Sequence, residues 1–190
     1  AWKVAERCVE EGATITLTNA PVALRMGGIQ ELGKKLNAEV IPADATSEED
    51  LEKLFGESQE VLGGKIDFVL HAIGMSLNVR KKREYTDLKY EWMQKTLDIS
   101  AISFHKVMQQ LYKMDAMSEW GSIVALSYIA AQRTFPDYSE MAESKALLES
   151  FARSFGYHFA EKKVRVNTIS QSPTVTTAGS GIKGFQEFFD

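Results

Sequence analysis

The stretch "GSIVALSYIAAQRTFPDYSEMAESKALLESFARSFGYHFA" (121–160) decides the fold. It opens with a near-continuous apolar run, 121–128, which is typical of a strand buried on both faces of a parallel sheet. After a polar connection, four apolar residues recur at every fourth position: Leu147, Phe151, Phe155 and Phe159. This spacing predicts a helix over 138–161 with one apolar stripe. A buried strand followed by an amphipathic helix is the repeating unit of an α/β fold.

The same alternation extends over the whole chain. Further strand-like runs are "TITLTN" (14–19), "EVIPAD" (39–44), "DFVLHAIG" (67–74) and "VRVNTIS" (164–170). Helical patterns cover 2–11, 22–36, 47–62 and 88–115. The segment "TSEED" (46–50) predicts a capping box, with Thr46 at the N-cap and Glu49 three residues later. Alternating strands and helices predict right-handed crossovers and a doubly wound, Rossmann-like parallel sheet, with 1–190 as one domain.

Both ends of the chain indicate a fragment. "AWKVAERCVEEGA" (1–13) reads as a helix with no strand before it, and "GFQEFFD" (184–190) reads as a helix start with no final strand. In a dinucleotide-binding fold, a strand and a glycine-rich turn precede that first helix. We therefore expect an incomplete sheet in which 14–19 and 67–72 stand about two strand spacings apart, roughly 9.6 Å. The alternative is that these two strands close up and pair directly.

Composition excludes several classes of function. A net charge of −4 and a pI near 5.5 disfavour nucleic acid or an anionic membrane as the main partner. No apolar run reaches the roughly 18 residues that span a bilayer. The single cysteine, Cys8, cannot form an internal disulfide, which suits a reducing cytoplasm. The three histidines lack metal-ligand spacing, so we expect no metal site.

Tyr138 and Lys145 are the first candidates for chemistry. If both lie on one helix, seven residues turn through about 700°, so the two side chains share a face about 10.5 Å apart along the axis. That distance suits a shared ligand better than direct contact. A nearby ammonium favours the ionised form of a phenol, and a tyrosine can donate a proton or a hydrogen bond to a developing oxyanion. The alternative is an ordinary helix with an exposed lysine and a partly buried tyrosine.

The pattern around these residues is more specific than the pair alone. Tyr128, at the end of a strand, stands ten residues before Tyr138 in a Tyr-x6-Lys motif. This segment resembles the active-site segment of bacterial enoyl-acyl-carrier-protein reductases, a divergent branch of the short-chain dehydrogenase/reductases, whose ordinary members carry Tyr-x3-Lys. The resemblance continues through "ADATSEEDLEKLF" (43–55), "FVLHAIG" (68–74), "LDISAISF" (97–104) and "VRVNTISQSPTVTTAGSGIKGF" (164–185).

The resemblance implies an activity and partners. It implies reduction of trans-2-enoyl thioesters on acyl carrier protein by NADH, in the fatty acid elongation of the bacterial cytoplasm, by a homotetramer. Tyr138 would bond the thioester carbonyl as it becomes an enolate, Lys145 would hold the nicotinamide ribose hydroxyls, and Tyr128 would line the substrate pocket. Two alternatives remain: another reductase of the superfamily (carbonyl or dienoyl), and a catalytically silent nucleotide-binding or scaffold protein. Tyr-x6-Lys preceded by Tyr128 disfavours the carbonyl reductase, and intact Tyr138 and Lys145 disfavour the silent protein.

The resemblance also assigns two sets of binding residues. Those assigned to the cofactor are Asp44, Ala45, Ile73, Gly74, Ile99, Leu126, Lys145, Pro173, Thr174 and Thr176. Those assigned to the acyl substrate are Tyr128, Met141, Ala178, Ile182 and Phe185. Without the resemblance, Asp44 would be read as a turn aspartate, Gly74 as a strand terminator, and Ile99 and Leu126 as core.

Two further segments bear on cofactor and partner. The neutral residues 19–21 after the second strand offer no charge to pair with a 2′-phosphate, which favours NADH while leaving NADPH possible. The run "RKKRE" (80–84) either faces an acidic carrier protein or is a solvated loop.

Overall fold

The computed structural model describes residues 1–25, 27–135 and 138–171, and strands alternate with helices throughout these ranges, as the sequence predicts. The strands are β1 (Thr16–Asn19), β2 (Glu39–Pro42), β3 (Ile66–His71), β4 (Met117–Ser127) and β5 (Arg165–Ser170). The helices are α1 (Trp2–Glu10), α2 (Pro21–Leu24), α3 (Gly28–Leu36), α4 (Glu48–Leu62), α5 (Leu77–Arg80), α6 (Tyr90–Leu97), α7 (Ser103–Lys113) and α8 (Met141–Ala160). The predicted α/β class is confirmed.

All strand pairs in these ranges are parallel. β1 pairs with β2, and β4 lies between β3 and β5. Within the described residues no ladder joins β1 to β3, so the expectation that these two strands stay unpaired is confirmed. Because the strands of each sheet run parallel, the carboxyl ends of β3, β4 and β5 meet at one edge, where open α/β sheets bind ligands.

The core lies between the sheets and a layer formed by three helices. α4 contacts β1, β2 and β3, and α7 packs between α4 and α8. The largest fully buried apolar side chains are Ile41, Leu51, Phe104, Met108, Leu111, Ile123, Leu148 and Phe159. Burying each contributes about 1.5–3 kcal/mol relative to exposure. Of the predicted α8 stripe, Phe159 is fully buried, while Leu147, Phe151 and Phe155 are partly buried against this core.

Two long predicted helices are interrupted. The segment 22–36 contains two helices, α2 and α3, because Gly27 adopts a left-handed φ of 76° between them. The segment 88–115 contains α6 and α7, joined by the π-helical turn Asp98–Ile102. A π turn inside a helix often marks a functional site, and this one lies beside the loop that follows β3.

The predicted cap of α4 is wrong by one residue. Ser47, not Thr46, is the N-cap, and its hydroxyl accepts from the Asp50 N–H at 3.2 Å. Thr46 instead donates from its N–H and hydroxyl to Asp44 Oδ1. The loop after β2 thus has one more residue outside the helix than the pattern predicts.

The predicted start of the last helix is also wrong. α8 begins at Met141, and Tyr138 lies in the turn before it. Ser139 has a φ of 49°, in the left-handed region that few residues other than glycine adopt, and it ends helical geometry between Tyr138 and α8. The shared-face geometry derived for one continuous helix therefore does not apply to Tyr138 and Lys145.

Candidate functional site

Two phenols lie side by side at the carboxyl end of β4. Tyr128 directly follows the strand, and its ring centroid lies 4.8 Å from that of Tyr138 and 5.4 Å from that of Phe135. The N–H of Tyr138 donates to the Phe135 carbonyl at 3.2 Å. The chain thus folds back after β4 and returns Tyr138 to the strand end. Tyr128 is buried and Tyr138 half-buried.

Lys145 reaches the same strand end from α8. Its side chain is buried, with the residue only 7% exposed, and Nζ donates to the Leu126 carbonyl at 2.7 Å. Within the described residues this ammonium has no carboxylate partner within ion-pair distance. Burial lowers the pKa of Lys145 to about 8. An ammonium has three donors, so two remain for a ligand.

Both phenols stay protonated at neutral pH. Burial, reinforced by the neighbouring Tyr128, raises the pKa of Tyr138 well above its usual range, and burial also raises the pKa of Tyr128. The expectation that the Lys145 ammonium favours an ionised Tyr138 is wrong, because desolvation dominates and Lys145 Nζ is directed to Leu126. Both tyrosines can therefore act as hydrogen-bond donors to an oxygen that gains negative charge.

The loop after β3 forms the facing wall. A Cβ placed on Gly74 would lie 3.8 Å from Met141 Cε and 3.9 Å from Lys145 Nζ, so this turn abuts the first turns of α8. The next residue is tied to the π turn, since the Met75 N–H donates to Ser100 Oγ at 2.9 Å and that hydroxyl lies 3.2 Å from the Met75 carbonyl. Ile73 and Ile99, which flank these contacts, are both half-buried.

Asp44 lies two residues beyond β2, at the carboxyl end of the other sheet. It is exposed, its Oδ1 accepts from the Thr46 N–H at 2.9 Å, and its own N–H donates to Asp50 Oδ2 at 2.8 Å. This is the turn arrangement that its position alone suggests, and a contact to adenine stays a prediction. Ala45 packs half-buried against the core.

The structure therefore gathers part of the predicted set. Six of the predicted residues surround the end of β4: Tyr128, Tyr138, Met141, Lys145, Leu126 and Gly74. Asp44 and Ala45 lie after β2, which belongs to the other sheet. Six predicted binding residues lie outside the described residues: Pro173, Thr174, Thr176, Ala178, Ile182 and Phe185. In the described ranges no three His, Cys, Asp or Glu side chains come together in a group that could hold a metal ion. Nor does any described helix have the length and apolarity to cross a bilayer.

Sequence reasoning missed two residues of this region. Phe135 packs against both tyrosines, and an aromatic residue inside the otherwise polar connection could have suggested it. Glu140 is fully buried beneath the site and accepts hydrogen bonds from Ser76 and Thr96. No pattern indicated this, because a glutamate at a helix start is usually a solvated acid that favours the helix dipole.

Comparison with known proteins gives the family. The model of the family described as Enoyl-(Acyl carrier protein) reductase matches residues 1–190. The chain is 34% identical over 187 residues to enoyl-[acyl-carrier-protein] reductase [NADH] 1 of Rhizobium meliloti (strain 1021), an alignment that covers 98% of this chain and 67% of the relative.

Solved structures agree. The crystal structure of the FabI–NADH complex from Alistipes finegoldii aligns with a TM-score of 0.95 at 63% identity, over 98% of this chain and 66% of that one. The Bacillus cereus enoyl-acyl carrier protein reductase, solved with NADP+ and indole naphthyridinone, aligns with a TM-score of 0.88 at 28% identity, over 98% of this chain and 72% of that one. The chain thus spans about two thirds of the length of these relatives. Since the family model covers every residue and a curated relative is 34% identical over 98% of the chain, the chain belongs to the enoyl-(acyl carrier protein) reductase family.

Proposed function

We propose that residues 1–190 form one dinucleotide-binding domain and that the full-length protein reduces trans-2-enoyl thioesters of acyl carrier protein with NADH. The observation that carries this proposal is the juxtaposition at the end of β4. A protonated, half-buried phenol and a buried ammonium that has no counter-ion among the described residues stand at the same strand end. Leaving that charge without a partner is costly unless a ligand uses it.

The residues present fit the NADH cofactor. Two donors of Lys145 are unused within the described part of the chain, beside Gly74, where the absent side chain leaves space next to Nζ. A pair of ribose hydroxyls supplies matching acceptors. Lys145 would hold the ribose, with Gly74 and Ile73 beside it. When bound, NADH supplies the hydride that adds to C3 of the enoyl thioester.

Tyr138 would stabilise the charge that develops on the substrate. As C3 gains the hydride, the electrons of the C2–C3 double bond shift toward the thioester carbonyl and form an enolate. The protonated phenol of Tyr138 donates to that oxygen, and this bond strengthens as negative charge grows. Protonation at C2 then gives the saturated acyl thioester. Tyr128 and Met141, both buried next to these groups, would line the acyl site.

The direct test is NADH oxidation at 340 nm with crotonyl thioesters. We expect activity from the full-length protein and a loss of roughly 100-fold or more in kcat for Tyr138→Phe, the usual effect of removing one oxyanion donor. Tyr90→Phe is the matched control, because Tyr90 begins α6 and is 77% exposed. A wild-type protein that oxidises no NADH with any enoyl thioester, or a Tyr138→Phe variant within threefold of wild type, would overturn the proposal.

We further propose that the exposed basic run receives the carrier protein. Arg80, Lys81 and Lys82 are exposed and form no ion pair within the described ranges, whereas Arg83 is paired with Asp87. Acyl carrier proteins are acidic, so reversing the charge of Lys81 and Lys82 to glutamate should raise KM for carrier-bound crotonate and leave KM for crotonyl-CoA unchanged. If the charge-reversed variant and the wild type have equal KM values for carrier-bound crotonate, the run is only a solvated loop.

We also propose that the protein assembles as a homotetramer through α8. Tyr157 is exposed on this helix, and the neighbouring Phe155 is only partly buried. Light scattering of the full-length protein tests the assembly: we expect a tetramer for wild type and smaller species for Tyr157→Glu, and a monodisperse wild-type monomer would contradict it.

A further inference from the structure

A buried carboxylate joins three segments beneath the candidate site. Glu140, the N-cap residue of α8, is fully buried, and its Oε1 accepts from Ser76 Oγ at 2.7 Å, Thr96 Oγ1 at 2.7 Å and Asn78 Nδ2 at 3.2 Å. Ser76 and Asn78 belong to the segment that begins α5, and Thr96 belongs to α6. One oxygen atom thus ties the start of α8 to two other elements.

Two of the donors are themselves fixed. Ser76 Oγ accepts from the Val79 N–H at 3.0 Å, so it is oriented to donate to Glu140. Asn78 Oδ1 accepts from the Lys89 N–H at 3.1 Å, which extends the network to the start of α6. Ser76 and Asn78 are therefore held in place as donors to the carboxylate.

A buried carboxylate contributes little to the stability of a protein core. A carboxylate buried in low dielectric loses its hydration, and an apolar core of the same volume is often equally stable or more so. Although burial is the largest single influence and acts to raise the pKa of Glu140, the hydrogen bonds from Ser76 and Thr96, together with Ser139 and the backbone, keep the pKa below its usual value. Oε2 is buried and has no hydrogen-bond partner among the described residues. A costly group that is retained calls for a role besides packing.

The position of the network indicates that role. Ser76 stands two residues after Gly74, and Glu140 stands two residues after Tyr138 and directly before Met141. Gly74 in turn faces α8, since a Cβ placed on it would lie 3.8 Å from Met141 Cε and 3.9 Å from Lys145 Nζ. The hydrogen bonds of Glu140 therefore span the same gap, between the turn after β3 and the start of α8, in which the ammonium of Lys145 lies.

We propose that Glu140 is a positioning residue that sets the gap between the Gly74 turn and the start of α8, and thereby the placement of Tyr138 and Lys145 toward cofactor and substrate. The inference rests on the proposed function for its kinetic part only. Glu140 touches neither substrate nor cofactor in this account. It acts through the two segments that it joins.

The experiment compares four variants of the full-length protein. Glu140→Leu removes the acceptor, Glu140→Gln keeps one carbonyl acceptor in the same place, and Thr96→Val removes one donor. Glu52→Leu is the matched control, because Glu52 is an exposed glutamate on α4. NADH affinity is measured by fluorescence titration, kcat and KM for NADH by steady-state kinetics, and Tm by calorimetry. All assays run well below the Tm of each variant, so that only folded protein is compared.

We expect Glu140→Leu to raise the Kd for NADH at least tenfold and to lower kcat at least tenfold. Thr96→Val should also raise Kd and lower kcat, each by a smaller factor. Glu140→Gln should restore both constants to within about threefold of wild type, and Glu52→Leu should leave them unchanged. If Glu140→Leu does not fold, Thr96→Val decides, because its native-like Kd and kcat would overturn the proposal.

If the Glu140→Leu and Thr96→Val variants have a lower Tm but a wild-type Kd for NADH and a wild-type kcat, Glu140 has only a structural role. A wild-type protein that reduces no enoyl thioester refutes the proposed function instead. In that case the NADH titration of Glu140→Leu against wild type still decides the role of Glu140.

Discussion

Replacing Lys145 by methionine should make the protein more stable at pH 7 while weakening its binding of NADH. Methionine has a length similar to that of lysine and carries no charge. Lys145 is 7% exposed and its only hydrogen-bond acceptor in the described ranges is the Leu126 carbonyl. If the charge is retained for a ligand, its removal should relieve a cost that the unliganded fold carries.

The magnitude follows from the pKa. Burial lowers the pKa of Lys145 from 10.5 to about 8. At about 1.36 kcal/mol per unit, this difference corresponds to about 3 kcal/mol against the charged form in the folded state. The lost hydrogen bond from a charged donor offsets about 1.5–3 kcal/mol of that gain. A net stabilisation of up to about 1.5 kcal/mol remains, and it should raise Tm by up to roughly 6 °C for a chain of this size.

The pH dependence provides an independent check. Since the folded-state pKa of Lys145 lies below the unfolded-state value, the unfolded chain binds one proton more than the folded chain between about pH 8 and 10.5. The stability of the wild type therefore rises with pH in that window, relative to Lys145→Met. The advantage of the variant should be largest below pH 8 and should shrink toward pH 10.5.

Urea unfolding at pH 7 and pH 9.5, with fluorescence titration of NADH, measures all three effects on full-length protein. Lys53→Met is the control, because the Lys53 side chain is 68% exposed and its removal should alter neither stability by more than about 0.5 kcal/mol nor NADH affinity. The reasoning is refuted if Lys145→Met is less stable than wild type at pH 7 by 1 kcal/mol or more. An equal difference at both pH values, or unchanged NADH affinity, would also refute it.

Three further predictions concern other parts of the chain. NADH should be used better than NADPH, because residues 19–21 are neutral; a tenfold higher kcat/KM with NADPH, about 1.4 kcal/mol, would contradict this. Gly33→Ala should destabilise the protein by about 1–3 kcal/mol in urea unfolding, because its Cβ would lie 2.6 Å from Val40 Cγ2. Gly56→Ala is the control, because a Cβ there lies in open space and should not destabilise the protein. Equal stabilities of the two variants would show that β2 yields to the new methyl group. The Glu140 carboxylate should stabilise the wild type over Glu140→Gln above the usual glutamate pKa, and this advantage should disappear as pH falls through the lower folded-state pKa; a difference that persists in acid would be inconsistent with an ionised Glu140.

The strands were predictable because burial on both faces of a sheet requires a nearly continuous run of apolar residues. The apolar runs that became β3 and β4 need no partner information, and neither does the every-fourth-residue stripe of α8. The breaks were not predictable in the same way. Gly27 alone does not reveal a left-handed turn, and Ser139 adopts a φ of 49° that its own chemistry does not favour. Such conformations are imposed by tertiary packing and have no local signal.

The same distinction, between residues with a local sequence signal and residues placed by tertiary packing, applies to the candidate site. Tyr128, Tyr138 and Lys145 could be selected from sequence because their spacing is unusual and because they follow a buried strand. Glu140 could not, because its partners Ser76 and Asn78 stand 64 and 62 residues away and contact it only in the folded chain. Its identity as an acid at a helix start has an ordinary explanation, so only its burial reveals it.

The separation of Tyr138 and Lys145 therefore has a different origin from the one their spacing suggests. Lys145 is anchored through Nζ to the Leu126 carbonyl, and Tyr138 is anchored through its ring to Tyr128. Leu126 lies within the last residues of β4 and Tyr128 directly follows the strand, and β4 is held between β3 and β5 with fully buried side chains such as Ile123. The strand end, and not the pitch of α8, fixes where the phenol and the ammonium stand. Since Ser139 uncouples Tyr138 from the helix, a shift of α8 would move Lys145 more than Tyr138, and the hydrogen bonds of Glu140 to Ser76 and Thr96 would oppose such a shift.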